Sequence, residues 1–148
     1  MDSTMETNKH RKRVEELMML LNAVIELNSQ MHDYSKTRSP EKEIFDVYTE
    51  KLKTCEYGSD EYKQYLKEMK PALEHHYHAN RHHPEHYSKG ISGMDLLDVL
   101  EMLCDWQAAS ERHDSGDIMK SIELNKERFK MSEQLCDILK NTVERFFK

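Results

Sequence analysis

Apolar side chains recur every three or four positions along this chain, and that spacing constrains the fold more than any other feature. Val14, Leu17, Met18, Leu21, Val24 and Ile25 trace one stripe of a helix beginning near residue 8, with the stripe expected to face inward. Ser39-Pro40 reads as a second helix start, with the hydroxyl as cap and proline in the first turn; Ile44, Phe45, Val47, Tyr48 and Leu52 continue it to the break at Tyr57-Gly58-Ser59-Asp60. A third helix runs through Tyr62, Tyr65, Leu66 and Met69, with Pro71 expected to kink or interrupt it. Ser92 followed by Asp95 resembles a capping arrangement for a fourth, carrying Leu96, Leu97, Leu100, Leu103 and Cys104 and ending at His113-Asp114-Ser115-Gly116. Ile118, Ile122, Asn125, Phe129, Ser132, Cys136, Leu139, Val143 and Phe146 then predict one long last helix, a candidate homodimer surface. The expectation is an all-α, single-domain bundle of about five helices over residues 1–148. Only four glycines and three prolines interrupt the chain, in keeping with helices rather than strands.

Charge and cysteine usage narrow the function classes. A net charge of −6 provides no overall positive field, so strong nucleic-acid binding is not expected. Cys55, Cys104 and Cys136 are odd in number and lack C-x-x-C spacing, which argues against a disulfide framework or a thiolate zinc knuckle. No apolar run approaches membrane-spanning length and the first residues lack a signal-peptide core, so a cytoplasmic protein is expected.

Six of the nine histidines fall within residues 75–86, His-His-Tyr-His-Ala-Asn-Arg-His-His-Pro-Glu-His. Imidazole is the commonest metal-binding side chain, so the tract points to a metal. The other ligands such a site needs are available in His10, the pair His32-Asp33 and Asp105. Some of the six must be bystanders, and His78 and His86, with His113 outside the tract, are assigned that role. Trp106 reads as a core or pocket-wall residue, and the ten methionines as gap fillers and initiator.

A helix-borne His, an adjacent His-Asp pair with Lys36 three residues on, later histidines and a late helical Asp, in that order, resemble the pattern of the HD-domain metal phosphohydrolases. The stretches His32 to Lys36 and His75 to Trp106 are also similar to a small uncharacterised family of phage and bacterial proteins. The first resemblance implies an HD-like helical fold and a hydrolase acting on a nucleotide or another small phosphate ester through a metal-activated water. It assigns His10, His32, Asp33 and Asp105 to a first ion, and His76, His82 and His83 to a second. The cofactor is then one or two divalent transition-metal ions, with Zn, Mn, Fe and Co all compatible with imidazole and carboxylate. Asp33 is the expected base-like residue, Lys36 the expected stabiliser of phosphoryl charge. Asn80, Asn125 and Arg128 are the candidate substrate contacts, with a buried polar network as the plainer reading of the last two.

Two geometric conditions test this assignment. On one straight helix His10 and His32 would lie about 33 Å apart at ~1.5 Å per residue, so sharing an ion demands a chain reversal between them. Asp105 shares a helix face with Asp98 and Glu101, opposite Leu96, Leu100 and Leu103. Either that face lines a polar cleft or Asp105 is a surface residue; Glu101 and Asp105, four apart, could both reach a site. Two other functions remain open: a di-iron oxygenase of the HD type, and a non-catalytic phage-type interaction or inhibitor protein with a structural metal.

Overall fold

A computed structural model describes residues 2–56, 59–112 and 114–148, and the described residues form seven α-helices, three short 3-10 turns and no strand. They divide into two compact units, Met1–His32 and Asp33–Lys148. Among the described residues no helix is long and apolar enough to cross a membrane.

The first unit is a single helix, α1, Thr4–Met31. It contains no buried residue: Val14, Leu17, Met18, Leu21 and Val24 are all exposed, whereas the sequence stripe predicts an inward face. Periodicity reports that a helix is amphipathic; a unit of one helix has nothing within it to cover the stripe. The helix is also unbroken, so the reversal between His10 and His32 does not exist. His10 lies exposed within α1 and His32 caps its C-terminus, about 33 Å apart at ~1.5 Å per residue, and the two cannot share an ion.

The second unit opens on Asp33, whose φ of 53° puts it in the left-handed region that Asp tolerates better than most residues. It starts a 3-10 turn, Tyr34–Thr37, after which α2 spans Glu41–Thr54. Glu41 and Glu43 in the first turn and Lys51 and Lys53 in the last complement the helix dipole, while Ser39 makes no capping bond. Helix α3, Asp60–Glu68, is capped by Ser59, whose hydroxyl accepts from Tyr62 N. Pro71 interrupts the pattern by opening a new helix, α4, Lys70–Ala79, because a first-turn proline lacks only an N–H that would have had no helical partner. Two further 3-10 turns, Pro84–His86 and Gly90–Gly93, carry the chain to α5, Leu96–Ser110. Its cap is Asp95 itself, which accepts from Leu97 N and Asp98 N while Asp98 accepts from Asp95 N; the Ser92 cap predicted three residues earlier is displaced by this stronger carboxylate box.

The predicted long last helix is two helices, α6, Ile118–Phe129, and α7, Glu133–Phe146. Lys130 adopts a left-handed φ of 52° and Ser132 caps α7 through Leu135 N, so the chain turns without Gly or Pro. This break and the α3–α4 boundary account for seven helices rather than about five. Leu103 from α5, Ile118 and Ile122 from α6, Met131, and Cys136, Leu139 and Val143 from α7 make the main core, with Trp106 stacked on Phe129 at its edge. At the other end of this unit α2 packs on α4 and on the Tyr34–Thr37 turn, placing Asp33 beside the histidine tract. All three cysteines are free thiols. Tyr57, Gly58 and His113, part of the predicted breaks and one predicted bystander, lie outside the described residues.

Candidate metal centre

Three separate segments of the second unit bring donors to one place. Asp33 comes from the turn before α2, His76 from α4, and His82 and His83 from the loop after it. One donor atom from each of these four residues can be chosen so that all lie within 4.8 Å of one another. Asp33 Oδ1 is 3.3 Å from His76 Nε2 and 3.4 Å from His82 Nε2, and His76 Nε2 is 2.9 Å from His83 Nε2. His76 and His82 are each 2 % exposed, Asp33 20 % at its side chain.

These separations are compatible with ligands of one ion. A charge-assisted N–H···O bond is normally ~2.7–2.9 Å long, shorter than either histidine–Asp33 distance. Donors bonded to one ion at ~2.0–2.1 Å stand about 3.3 Å apart around a tetrahedron and about 2.9 Å apart at adjacent octahedral corners. The observed 2.9, 3.3 and 3.4 Å fall in that range.

Burial, with the neighbouring His82 and His76, pushes the His83 imidazole down to about 3, keeping it neutral. Burial opposes charge on Asp33, but His76, His82 and Lys36 outweigh it and hold the carboxyl far below the ordinary range. Lys36 Nζ sits 2.7 Å from Asp33 Oδ2, one turn along the same segment.

A second layer orients the rings. Glu41, fully buried in the first turn of α2, faces His76 Nδ1 at 2.9 Å and His75 Nδ1 at 2.7 Å, and accepts the Ser35 hydroxyl at 3.0 Å. Burial works against its ionisation, yet the His75, Ser35 and His76 contacts keep its carboxyl below the usual value. On α5, Glu101 Oε1 is 3.0 Å from His82 Nδ1, and Asp105 Oδ2 is 3.9 Å from His82 Nε2. The polar face of α5 thus brings Glu101 and Asp105 to His82 rather than to bulk solvent alone.

The chain matches the profile of a family of unknown function over residues 1–145. It belongs to the DUF5662 family. This DUF5662 chain matches no curated protein and no solved structure.

Set against the sequence assignment, the DUF5662 centre draws its residues together differently. Asp33 joins His76, His82 and His83, the histidines predicted for another ion, in one group. Asn80 is beside them, with its amide donating to Ser35 Oγ at 2.8 Å and to His76 O at 2.8 Å. Asn125 and Arg128 lie on α6, and Arg128 is paired with Glu85 at 2.8 Å. His78 is exposed, and His86 Nδ1 donates to Tyr77 O at 2.9 Å. Glu41 carried no site signal in the sequence, because an acidic residue in a first helical turn is expected from the dipole alone. The Arg81–Tyr87–Asp98 network was equally silent. Asp98, 2 % exposed, accepts from the Tyr87 hydroxyl at 2.6 Å and from Arg81 Nε at 3.1 Å, fastening the loop that follows the histidines to α5.

Proposed function

We propose that this protein is a divalent-metal hydrolase of small phosphate esters, nucleotides among them, with its ion held by Asp33, His76, His82 and His83. The observation that carries the reading is the convergence of four donor residues, one atom from each within 4.8 Å of the others, at separations suited to ligands of one ion. An ion of this class polarises a phosphoryl oxygen and acidifies a water toward neutral pH. Asp33 has one oxygen, Oδ1, toward the histidines and the other toward Lys36, so it both binds and offers a proton acceptor at the partly exposed edge of the cluster. Lys36, 42 % exposed at its side chain, adds a fixed positive charge beside that edge, where an anionic substrate gains most from it. An HD-type relationship belongs to the same proposal and is supported by the order of His32-Asp33, the histidines and Asp105 along the chain. Asp105, near His82 Nε2, is the residue that a second ion would recruit.

Metal analysis of the purified protein, followed by phosphate release from a nucleotide and phosphomonoester panel with Zn, Mn, Fe or Co, tests the reading. Near-stoichiometric metal and turnover that both disappear in His76→Ala are expected; wild-type protein that takes up none of the four ions overturns it.

The number of protein donors favours a second reading for zinc alone. Four protein ligands fill a tetrahedral shell, as in structural zinc sites. A zinc-loaded chain whose thermal stability collapses on chelation, but which turns over no substrate, assigns the centre to joining the Asp33 turn, α4 and the loop after it.

A further inference from the structure

We infer that Glu41 and Glu101 are positioning residues that fix the proton of His76 and His82 on Nδ1, so that both rings present an Nε2 lone pair to the metal. The inference rests on the metal reading above and goes beyond it, since neither glutamate is among the metal donors.

The hydrogens around His76 Nδ1 fix what that atom carries. Its Nδ1 has three polar neighbours: Glu41 Oε2 at 2.9 Å, Asn80 Nδ2 at 3.1 Å and Ser35 Oγ at 3.3 Å. The amide of Asn80 has two hydrogens, and they are directed to Ser35 Oγ and to His76 O. The single hydroxyl hydrogen of Ser35 is directed to Glu41 Oε2 at 3.0 Å. No hydrogen therefore remains to be donated to His76 Nδ1, and its nearest neighbour is a carboxylate, which only accepts. Nδ1 must carry a proton and give it to Glu41, which leaves Nε2 as the atom of the ring available to a metal. Glu41 receives a further N–H from His75 at 2.7 Å, so its two oxygens accept three donors and stay anionic inside the fold.

His82 repeats the arrangement from the other side. Its Nδ1 faces Glu101 Oε1 at 3.0 Å, while its Nε2 faces Asp33 Oδ1 at 3.4 Å and Asp105 Oδ2 at 3.9 Å. Two glutamates on different helices thus impose the same tautomer on two rings whose Nε2 atoms approach the same oxygen of Asp33. Carboxylates placed behind metal-bound imidazoles raise ligand basicity and hold ring orientation, and their loss typically weakens metal binding by about 10–100-fold.

The test combines histidine tautomers, read by long-range proton–nitrogen NMR correlation at pH 8 with and without zinc, with zinc affinity from chelator competition. Wild type is expected to show Nδ1–H on both His76 and His82 with zinc on Nε2. Of these two rings, Glu41→Gln should change the pattern of His76 and leave that of His82, and Glu101→Gln the reverse, each weakening zinc by about 10–100-fold. Should Glu41→Gln fail to fold, Glu101→Gln and the wild-type spectrum still decide. Nε2–H on either ring in the zinc-loaded wild type overturns the inference, as does zinc affinity within twofold of wild type in both variants. If wild type takes up no zinc or other divalent ion, the metal reading fails separately. The apo tautomers then decide the glutamates: Nδ1–H on both rings supports their role, and Nε2–H or doubly protonated rings at pH 8 overturn it.

Discussion

His76 Nε2 lies 3.3 Å from Asp33 Oδ1, one atom on the inner face of α4 and the other on a left-handed turn that precedes α2. The contact joins segments that share no local structure, so the energy of the centre should appear in global stability. A ligand that binds only the folded chain stabilises it by about 2.7 kcal/mol at 100 times its Kd. Adding zinc or manganese should therefore raise the melting temperature of wild type, and a chelator should reverse the rise. His76→Ala and Asp33→Asn should show neither response in differential scanning calorimetry. An equal metal-induced rise in His76→Ala would place the ion elsewhere.

Lys36 separates binding from turnover. Its ammonium contacts Asp33 Oδ2, whereas the histidines approach Oδ1. Lys36→Ala is expected to retain metal content while lowering kcat on a phosphate ester by about 10–100-fold, or about 1.4–2.7 kcal/mol of barrier. Steady-state kinetics alongside metal analysis check this. Loss of metal in Lys36→Ala would make the lysine a support for the Asp33 carboxylate instead.

Asp98 gives a pH prediction that is independent of the metal donors. Burial would raise its carboxyl, but the Tyr87 hydroxyl, the Asp95 backbone N–H and Arg81 prevail and lower it from 3.8. A folded-state value below the unfolded one favours folding fully above the ordinary carboxylate range, and the contribution is lost as pH falls through the folded value. Urea midpoints should drop between pH 5 and pH 2 (roughly that acid window) more steeply for wild type than for Asp98→Asn. Tyr87→Phe, which removes a hydrogen bond to a charged group, should cost about 1.5–3 kcal/mol at neutral pH. Coinciding acid profiles for wild type and Asp98→Asn would show that this carboxylate contributes nothing to acid sensitivity.

Helix content was legible because spacing depends only on neighbours along the chain; what covers each helix was not. The stripe Val14–Leu17–Leu21 predicts a helix and α1 is one, yet its burial depends on surfaces that no local pattern records. The histidine tract points to metal-capable donors because six imidazoles in twelve positions are chemically conspicuous. Which ring meets which carboxylate was hidden, since His76 and His82 share an oxygen of Asp33 only after the chain folds back through α2 and α3. A helical wheel leaves open whether Glu101 and Asp105 line a site or face solvent, because it ranks polarity and not surroundings; the fold brings both to His82.

The break between α6 and α7 was illegible for a local reason, and it yields a stability prediction. Ser132 fell on the apolar repeat and read as one more helical position, yet its hydroxyl accepts from Leu135 N at 3.2 Å and starts a new helix. Lys130 ends α6 in the left-handed region at φ 52°, a geometry that costs a residue with a Cβ roughly 1–2 kcal/mol and glycine very little. Its own N–H still closes α6 on Lys126 O, so the strain is confined to the backbone of one exposed residue. Lys130→Gly should therefore stabilise the protein by roughly 0.5–1 kcal/mol, because glycine's larger unfolded-state entropy offsets part of the relief. Ser132→Ala should destabilise by about 1 kcal/mol through loss of the cap. Chemical denaturation of both variants measures the pair. Destabilisation by Lys130→Gly would mean that a continuous helix through residue 130, rather than the observed turn, is the favoured state in solution.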